Sequence, residues 1–100
     1  MNPAGAFTIP AEHPALPGHF PGRPVVPGVV LLDHAVEAVL AAMPGRRAAG
    51  LPSVKFTRPV QPGEYVEIFS GAADRERVKF ACRVGGEEVA RGVVLLADAI

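Results

Sequence analysis

The sequence is short of cysteine, of net charge and of uninterrupted apolar runs, and each shortage excludes a class of protein. Its 100 residues include one cysteine, Cys82, so no disulfide can form within the chain. Ten basic residues balance ten acidic ones, with no basic cluster beyond Arg46–Arg47, so we expect no nucleic-acid partner. Proline, glycine and charged residues interrupt the apolar segment 25–43, which therefore predicts no membrane span. The first residues carry no signal-like pattern, so we expect a cytoplasmic protein.

Proline and glycine are plentiful instead, with eleven of each. Residues 11–24 contain prolines at positions 14, 17, 21 and 24 and glycines at positions 18 and 22. Because these residue types restrict or shape the backbone, we expect a long but stiffened loop. Long ordered loops are often functional. This loop carries His19 and leads into a segment that carries Asp33.

The segment after the loop predicts one long helix. Pro27 suits a first turn, residues 29–43 are apolar or good helix formers, and Pro44–Gly45 ends the pattern. Apolar residues occur almost all the way round, which predicts a helix buried on most sides. Asp33 and Glu37 are four residues apart and share a face of this helix.

Strand-like alternation fills the rest of the chain. A short edge strand is expected at residues 6–9, before the loop, and four strands are expected after the helix. Consecutive hairpins imply an antiparallel sheet, and one helix with such a sheet gives an α+β fold in a single domain over residues 1–100. A small chain that is 49% hydrophobic also favours association with a second copy. The four later strands are expected at residues 51–60, 64–72, 78–84 and 89–97.

Three residues carry the candidate chemistry. A lone histidine is usually structural, but the rigid turn around His19 can aim an imidazole that takes a proton near neutral pH. Gly28 lies at the predicted helix start, where free N–H groups and the helix dipole favour developing negative charge; alternatively, it only permits the turn. Asp33 lies in an otherwise apolar helix, and burying a carboxylate is costly unless it is paired or reacting.

Other residues of these types receive structural interpretations. His13 lacks the framing of His19, and His34 projects about 100° round the helix from Asp33, which predicts that it lines a neighbouring wall. Cys82 is expected to be a small buried hydrophobe. No compact ligand spacing predicts a metal site, and no phosphate loop, dinucleotide fingerprint or serine elbow is present.

The run HFPGRPVVPGVVLLD, residues 19–33, resembles the signature of the β-hydroxyacyl-[acyl carrier protein] dehydratases of the FabZ and FabA type. Their pattern is His-Phe-Pro, then Pro-Val-x-Pro-Gly, then an acid fourteen residues after the histidine. A second run, VKFTRPVQPGE at residues 54–64, resembles a strand-and-turn segment of the same family. The acid here is Asp33, as in the FabA type, and Glu37 stands where the FabZ type carries glutamine.

This resemblance implies a hotdog fold, in which an antiparallel sheet wraps one long helix. It also implies a dimer with two active sites at the interface, where the histidine of one subunit faces the acid of the other. By position, His19 is the expected base and Asp33 the expected acid. Gly28 is the expected oxyanion N–H donor, and the Val25 carbonyl is expected to hold the imidazole.

The implied activity is dehydration of 3-hydroxyacyl-[acyl carrier protein] to the trans-2-enoyl product, without a cofactor, in fatty-acid or related polyene biosynthesis. Phe20 and Glu37 are expected to support the site. The expected partners are an acyl carrier protein and a second copy, or else a different hotdog chain. Two alternatives stay open, namely a thioesterase in which Asp33 or Glu37 activates water, and a non-catalytic acyl-binding subunit.

Overall fold

A computed structural model of the chain describes residues 1–10 and 25–99. In this part of the chain, the first two strands begin earlier than expected, and β2 ends at Phe56 instead of continuing to Val60. Pro59 has no N–H group to offer a ladder, which accounts for the early end. The elements are β1 (Asn2–Thr8), α1 (Gly28–Ala41), β2 (Arg46–Phe56), β3 (Tyr65–Ser70), β4 (Arg77–Val84) and β5 (Glu87–Asp98).

The five strands form one antiparallel sheet in the order β1-β3-β4-β5-β2. Consecutive hairpins join β3 to β4 and β4 to β5, as predicted. The turn between β4 and β5 has positive φ angles at Gly85 and Gly86, a conformation that glycine adopts without a Cβ penalty. The expectation of a hairpin between β2 and β3 is wrong, because β2 pairs with β5 at the opposite edge. Residues 57–64 make the connection between β2 and β3.

The core lies between one face of the sheet and one face of α1. Leu31, Ala35 and Val39 recur every four residues along the helix and are buried. They pack against alternate residues of the sheet, which confirms the predicted α+β arrangement. Cys82 is fully buried, as predicted. The sheet residues that share this core with it include Val66, Ile68, Val78, Phe80 and Val94.

The opposite face of α1 is not covered, which corrects the expectation of a helix buried on most sides. Val29 is 65% exposed, and both Asp33 and Glu37 are exposed. The helix therefore has one apolar surface in the core and a second, mixed surface that is uncovered in the single chain, where Leu32, Val36 and Leu40 are partly buried beside the two carboxylates. Apolar composition alone does not distinguish a core surface from a surface that a second chain covers.

Edge strand β1 is held to the sheet by β3 and to the helix by close contacts. A Cβ added to Gly5 would lie 3.1 Å from the Ala38 Cβ, so the backbone of β1 comes very near the helix. The Phe7 ring stacks on the His34 ring with 4.1 Å between centroids. His34 thus lines a neighbouring wall, as predicted. The β1 register shifts between Pro3 and Gly5.

Edge strand β2 is paired on one side, by β5. Its register shifts between Ala48 and Gly50 and again between Gly50 and Ser53, a stretch that contains Pro52. Arg46, at the beginning of β2, forms an ion pair with Glu76. The structure therefore places an irregular edge beside the bare surface of α1.

Candidate active site

The predicted base, His19, and its neighbour Phe20 lie outside the described residues, so their roles stay predictions. The described structure resumes at Val25, which is half-buried, and the next residue, Val26, is buried.

Gly28 is the first residue of α1, as the sequence predicts. Pro27 precedes it as the N-cap, and its carbonyl accepts hydrogen bonds from the Val30 and Leu31 N–H groups at 3.0 and 3.2 Å. The first N–H groups of a helix have no acceptor within the helix, and the positive end of the dipole lies there. The Gly28 N–H therefore lies where a developing negative charge is favoured.

A cavity of about 470 Å³ adjoins this helix start. Val25 and Gly28 both line it, as do Leu31 and residues 56–60. The structure therefore places at one cavity the two residues, Gly28 and Val25, whose backbone groups the resemblance assigns to the oxyanion and to the imidazole. The lining is mainly apolar, which suits a site from which water is excluded when substrate is bound.

Phe56, which the sequence interpretation treats only as a strand residue, packs directly on Gly28. A Cβ added to Gly28 would lie 2.8 Å from Phe56 Cζ and 3.3 Å from both Cε atoms. Phe56 is 48% exposed, so its ring forms a wall of the cavity that borders solvent. Periodicity could not have found this contact, because the two residues meet only through the tertiary fold.

Asp33 and Glu37 line a different depression, a groove of about 750 Å³ between α1 and β2. Both carboxylates are exposed in the single chain, so the expectation of a buried Asp33 is wrong here. The reason is the uncovered second surface of α1. Asp33 and Gly28 thus face separate depressions, and one chain by itself does not bring them to one site.

An ion pair between Arg58 and Glu64, which the sequence did not predict, connects the two ends of residues 57–64. Two Arg58 nitrogens donate to the two Glu64 carboxylate oxygens, each at 3.0 Å, and the Gln61 N–H donates to the same carboxylate at 2.8 Å. These hydrogen bonds, from Arg58 first and then from Gln61, lower the pKa of Glu64. The hydrogen bond to Glu64 raises the pKa of Arg58.

Other chemistry finds less support. Within residues 1–10 and 25–99, no three His, Cys, Asp or Glu side chains are grouped so as to hold a metal ion. Burial, with a smaller effect of Glu88, raises the pKa of the Cys82 thiol to about 11, which suits a packing role and not a nucleophilic one. In the same part of the chain, no helix is long and apolar enough to cross a membrane.

Known proteins resemble this chain over most of its length. A 3-hydroxyacyl-[acyl-carrier-protein] dehydratase FabZ from Thermomicrobium roseum is 32% identical, and the match covers 93% of this chain and 70% of the relative. A dehydratase of the same name from Desulforamulus reducens is 38% identical over 64% of this chain, and this match spans about half of the relative, 51%.

Solved structures show the same fold. The dehydratase heterocomplex ApeI:P from Xenorhabdus doucetiae has a TM-score of 0.80 and 22% identity, covering 92% of this chain and 83% of that one. An acyl-CoA thioesterase shares the fold with a TM-score of 0.70 and 15% identity, covering 96% of this chain and 67% of that one. These likenesses confirm the predicted hotdog fold.

The model of one family, described as ApeI-like dehydratase, matches residues 2–93. The match spans both the His19-to-Asp33 run and the VKFTRPVQPGE run, and it confirms the resemblance from which the site residues were assigned. The chain belongs to the ApeI-like dehydratase family.

Proposed function

We propose that this protein removes water from a 3-hydroxyacyl thioester carried on an acyl carrier protein and leaves the trans-2-enoyl thioester. The family match supports this, as does the name of the Thermomicrobium roseum relative. The observation that carries the proposal is Gly28, whose N–H begins α1 beside a mainly apolar cavity. A single domain over residues 1–100 and a cytoplasmic location belong to the same proposal.

The proposed reaction needs three groups. The His19 imidazole removes the proton from the α-carbon, and the Gly28 N–H stabilises the charge that develops on the thioester oxygen. Asp33, directly or through water, supplies a proton to the β-hydroxyl, which leaves as water. The thioester itself makes the α-proton acidic, so this sequence of steps requires no redox or electron-sink cofactor.

Substitution at His19 and Asp33 tests these roles. We expect His19→Ala and Asp33→Asn each to lower kcat by at least about 100-fold, since a positioned acid or base contributes 10²–10⁴-fold. His34→Gln is the matched control, because His34 stacks on Phe7 away from the cavity and should leave the rate nearly unchanged. Dehydration by His19→Ala at the wild-type rate would refute the assignment of the base.

The product distinguishes the proposed activity from its alternatives. Mass spectrometry of the acyl carrier protein should show a loss of one water from the attached acyl chain. Free acid in its place would indicate a thioesterase, for which the exposed pair Asp33 and Glu37 would activate water. Absence of turnover with every chain length would indicate an acyl-binding subunit.

We also propose that the working form is a dimer in which a second copy covers the bare surface of α1 and the edge of β2. Val29 and Leu51, at the groove, are 65% and 39% exposed. A second copy that covers them would bury apolar surface, and its catalytic histidine would face Asp33 of the first copy. Light scattering should give twice the 10.4 kDa chain mass, and Leu51→Glu should give the monomer. Dimerisation only with a different hotdog chain would refute the homodimer.

A further inference from the structure

The 57–64 loop, residues 57–64 between β2 and β3, holds both ends of the segment that contains His19. Where the described chain stops before this segment, the Gly63 N–H donates to the Ile9 carbonyl at 2.9 Å. Where the description resumes, the Val26 N–H donates to the Val60 carbonyl at 2.7 Å. One loop therefore fixes both flanks of residues 11–24.

The Val26–Val60 anchor lies in the core, whereas in the other anchor Ile9 is buried and Gly63 is exposed. Ile9, Val26 and Val60 are 4%, 5% and 3% exposed. A hydrogen bond between buried backbone groups costs the full desolvation penalty when it is broken, so the anchor between Val26 and Val60 is held tightly. Val26 also lies two residues before Gly28. The position of the Val60 carbonyl therefore sets the start of α1 and, with it, the direction of the Gly28 N–H.

Thr57 fastens the start of the loop to β5, and one arginine and one glutamate close the loop across its two ends. The paired hydrogen bonds between Arg58 and Glu64 join the two ends of the loop at 3.0 Å. Within this closure, Glu64 accepts from the Gln61 N–H, and Arg58 also donates to the Pro59 carbonyl at 2.7 Å. A fourth Arg58 hydrogen bond, to Glu87 at 3.1 Å, ties the loop to the β4–β5 hairpin.

We propose that Arg58 and Glu64 are positioning residues, whose ion pair shapes the 57–64 loop so that Val60 places the first turn of α1 and its Gly28 N–H for the reaction. Arg58 lines the cavity, but its guanidinium is held by Glu64 and Glu87, and Glu64 is not among the lining residues, so the pair acts through the backbone of the loop. The catalytic part of this inference rests on the proposed dehydration. The part that concerns Val26 and Gly28 can be measured without any activity.

A second ion pair provides a matched control. Arg46 and Glu76 pair near the far end of β2, about 33 Å along the strand from Phe56 at ~3.3 Å per residue. The two arginine side chains have similar exposure, 26% for Arg46 and 27% for Arg58. Glu76 is more exposed than Glu64, 58% against 27%, and Arg46 also pairs with Asp98, so Glu76→Gln controls for loss of a carboxylate charge far from the helix start.

The first measurement is amide hydrogen exchange of the wild type, Glu64→Gln and Glu76→Gln. We expect the Val26 and Gly63 amides to exchange at least about tenfold faster in Glu64→Gln, because loosening of the loop opens their hydrogen bonds locally. Both amides should stay at the wild-type rate in Glu76→Gln. Equal exchange of the two amides in all three proteins would overturn the proposal, whatever the protein's activity is.

The second measurement separates kcat from KM on a 3-hydroxyacyl carrier protein. We expect Glu64→Gln to lower kcat by about 10- to 100-fold, as a small misplacement of an aligned group does, with little change in KM. Arg58→Lys, which keeps the charge but loses the paired geometry, should fall between wild type and Glu64→Gln. An equal loss of kcat in Glu76→Gln would overturn the positioning role. An inactive wild type with the expected exchange pattern would instead contradict the proposed function and leave the loop's role supported.

Discussion

The contact between Phe56 and Gly28 makes a specific prediction about Gly28→Ala. The added Cβ would lie 2.8 Å from the ring, well inside the 3.4 Å at which ordinary contacts begin. Relief of such overlap costs about 1–3 kcal/mol, and alanine returns up to about 1 kcal/mol as the better helix former. Since the ring can move outward into solvent, we expect Gly28→Ala to lower the free energy of unfolding by about 0–2 kcal/mol.

Phe56→Ala should reverse the sign of that effect. Without the ring the new methyl has room, so Gly28→Ala made in this background should stabilise the protein by up to about 1 kcal/mol. Urea unfolding of the four proteins measures the coupling, which we expect to be about 1–3 kcal/mol. Equal effects of Gly28→Ala in both backgrounds, within about 0.5 kcal/mol, would refute the packing argument. The dehydration rate should fall in both backgrounds, because the methyl narrows the approach to the Gly28 N–H in each.

Three further predictions follow from burial and charge. The Cys82 thiol, with its pKa raised to about 11 by burial, should resist a thiol reagent at pH 8 and react fully in urea. Folding lowers the pKa of the Glu64 carboxyl, so the stabilisation by its carboxylate is present above the ordinary pKa of 4.5 and is lost as the pH falls below it. Urea denaturation should therefore show that Glu64→Gln lowers the free energy of unfolding more at pH 7 than at pH 3. Gly92→Ala would place a Cβ 2.5 Å from the Ser53 carbonyl oxygen, and thermal unfolding should show the free energy of unfolding lowered by about 2–3 kcal/mol. Gly50→Ala is the control and should change it little, because the nearest atom to the new Cβ would be 4.0 Å away.

Local signals predicted α1 and the last three strands to within two residues, because these signals depend on neighbours in sequence, but they misplaced the bounds of β1 and β2. Pro27 and the Pro44–Gly45 pair located α1 within two residues at each end, since proline and glycine act on the backbone where they stand. Alternation predicted a strand at residues 78–84, and β4 spans Arg77–Val84. Alternation says which face of a strand is buried but not which strand lies beside it, so the pairing of β2 with β5 was not predictable.

The site divides in the same way. Gly28 was found because a helix start has a local signature. Its contact with Phe56, and the closure of the 57–64 loop by Arg58 and Glu64, were missed because nothing local indicates which charges or rings will meet. The exposure of Asp33 was misjudged for another reason. The apolar composition of a helix predicts that its surface is buried, but it does not show whether the same chain or a second chain buries it.

The interruptions in the two edge strands have a consequence for aggregation. An open edge offers a row of free backbone groups to which any extended chain can add, and amyloid grows in this way. Pro3 in β1 and Pro52 in β2 each lack an N–H group, and both stand where the register shifts. An incoming strand can therefore pair only in short stretches on either side of each break. Such edges discourage open-ended stacking, and replacement of Pro52 by valine should make the protein more prone to form fibrils.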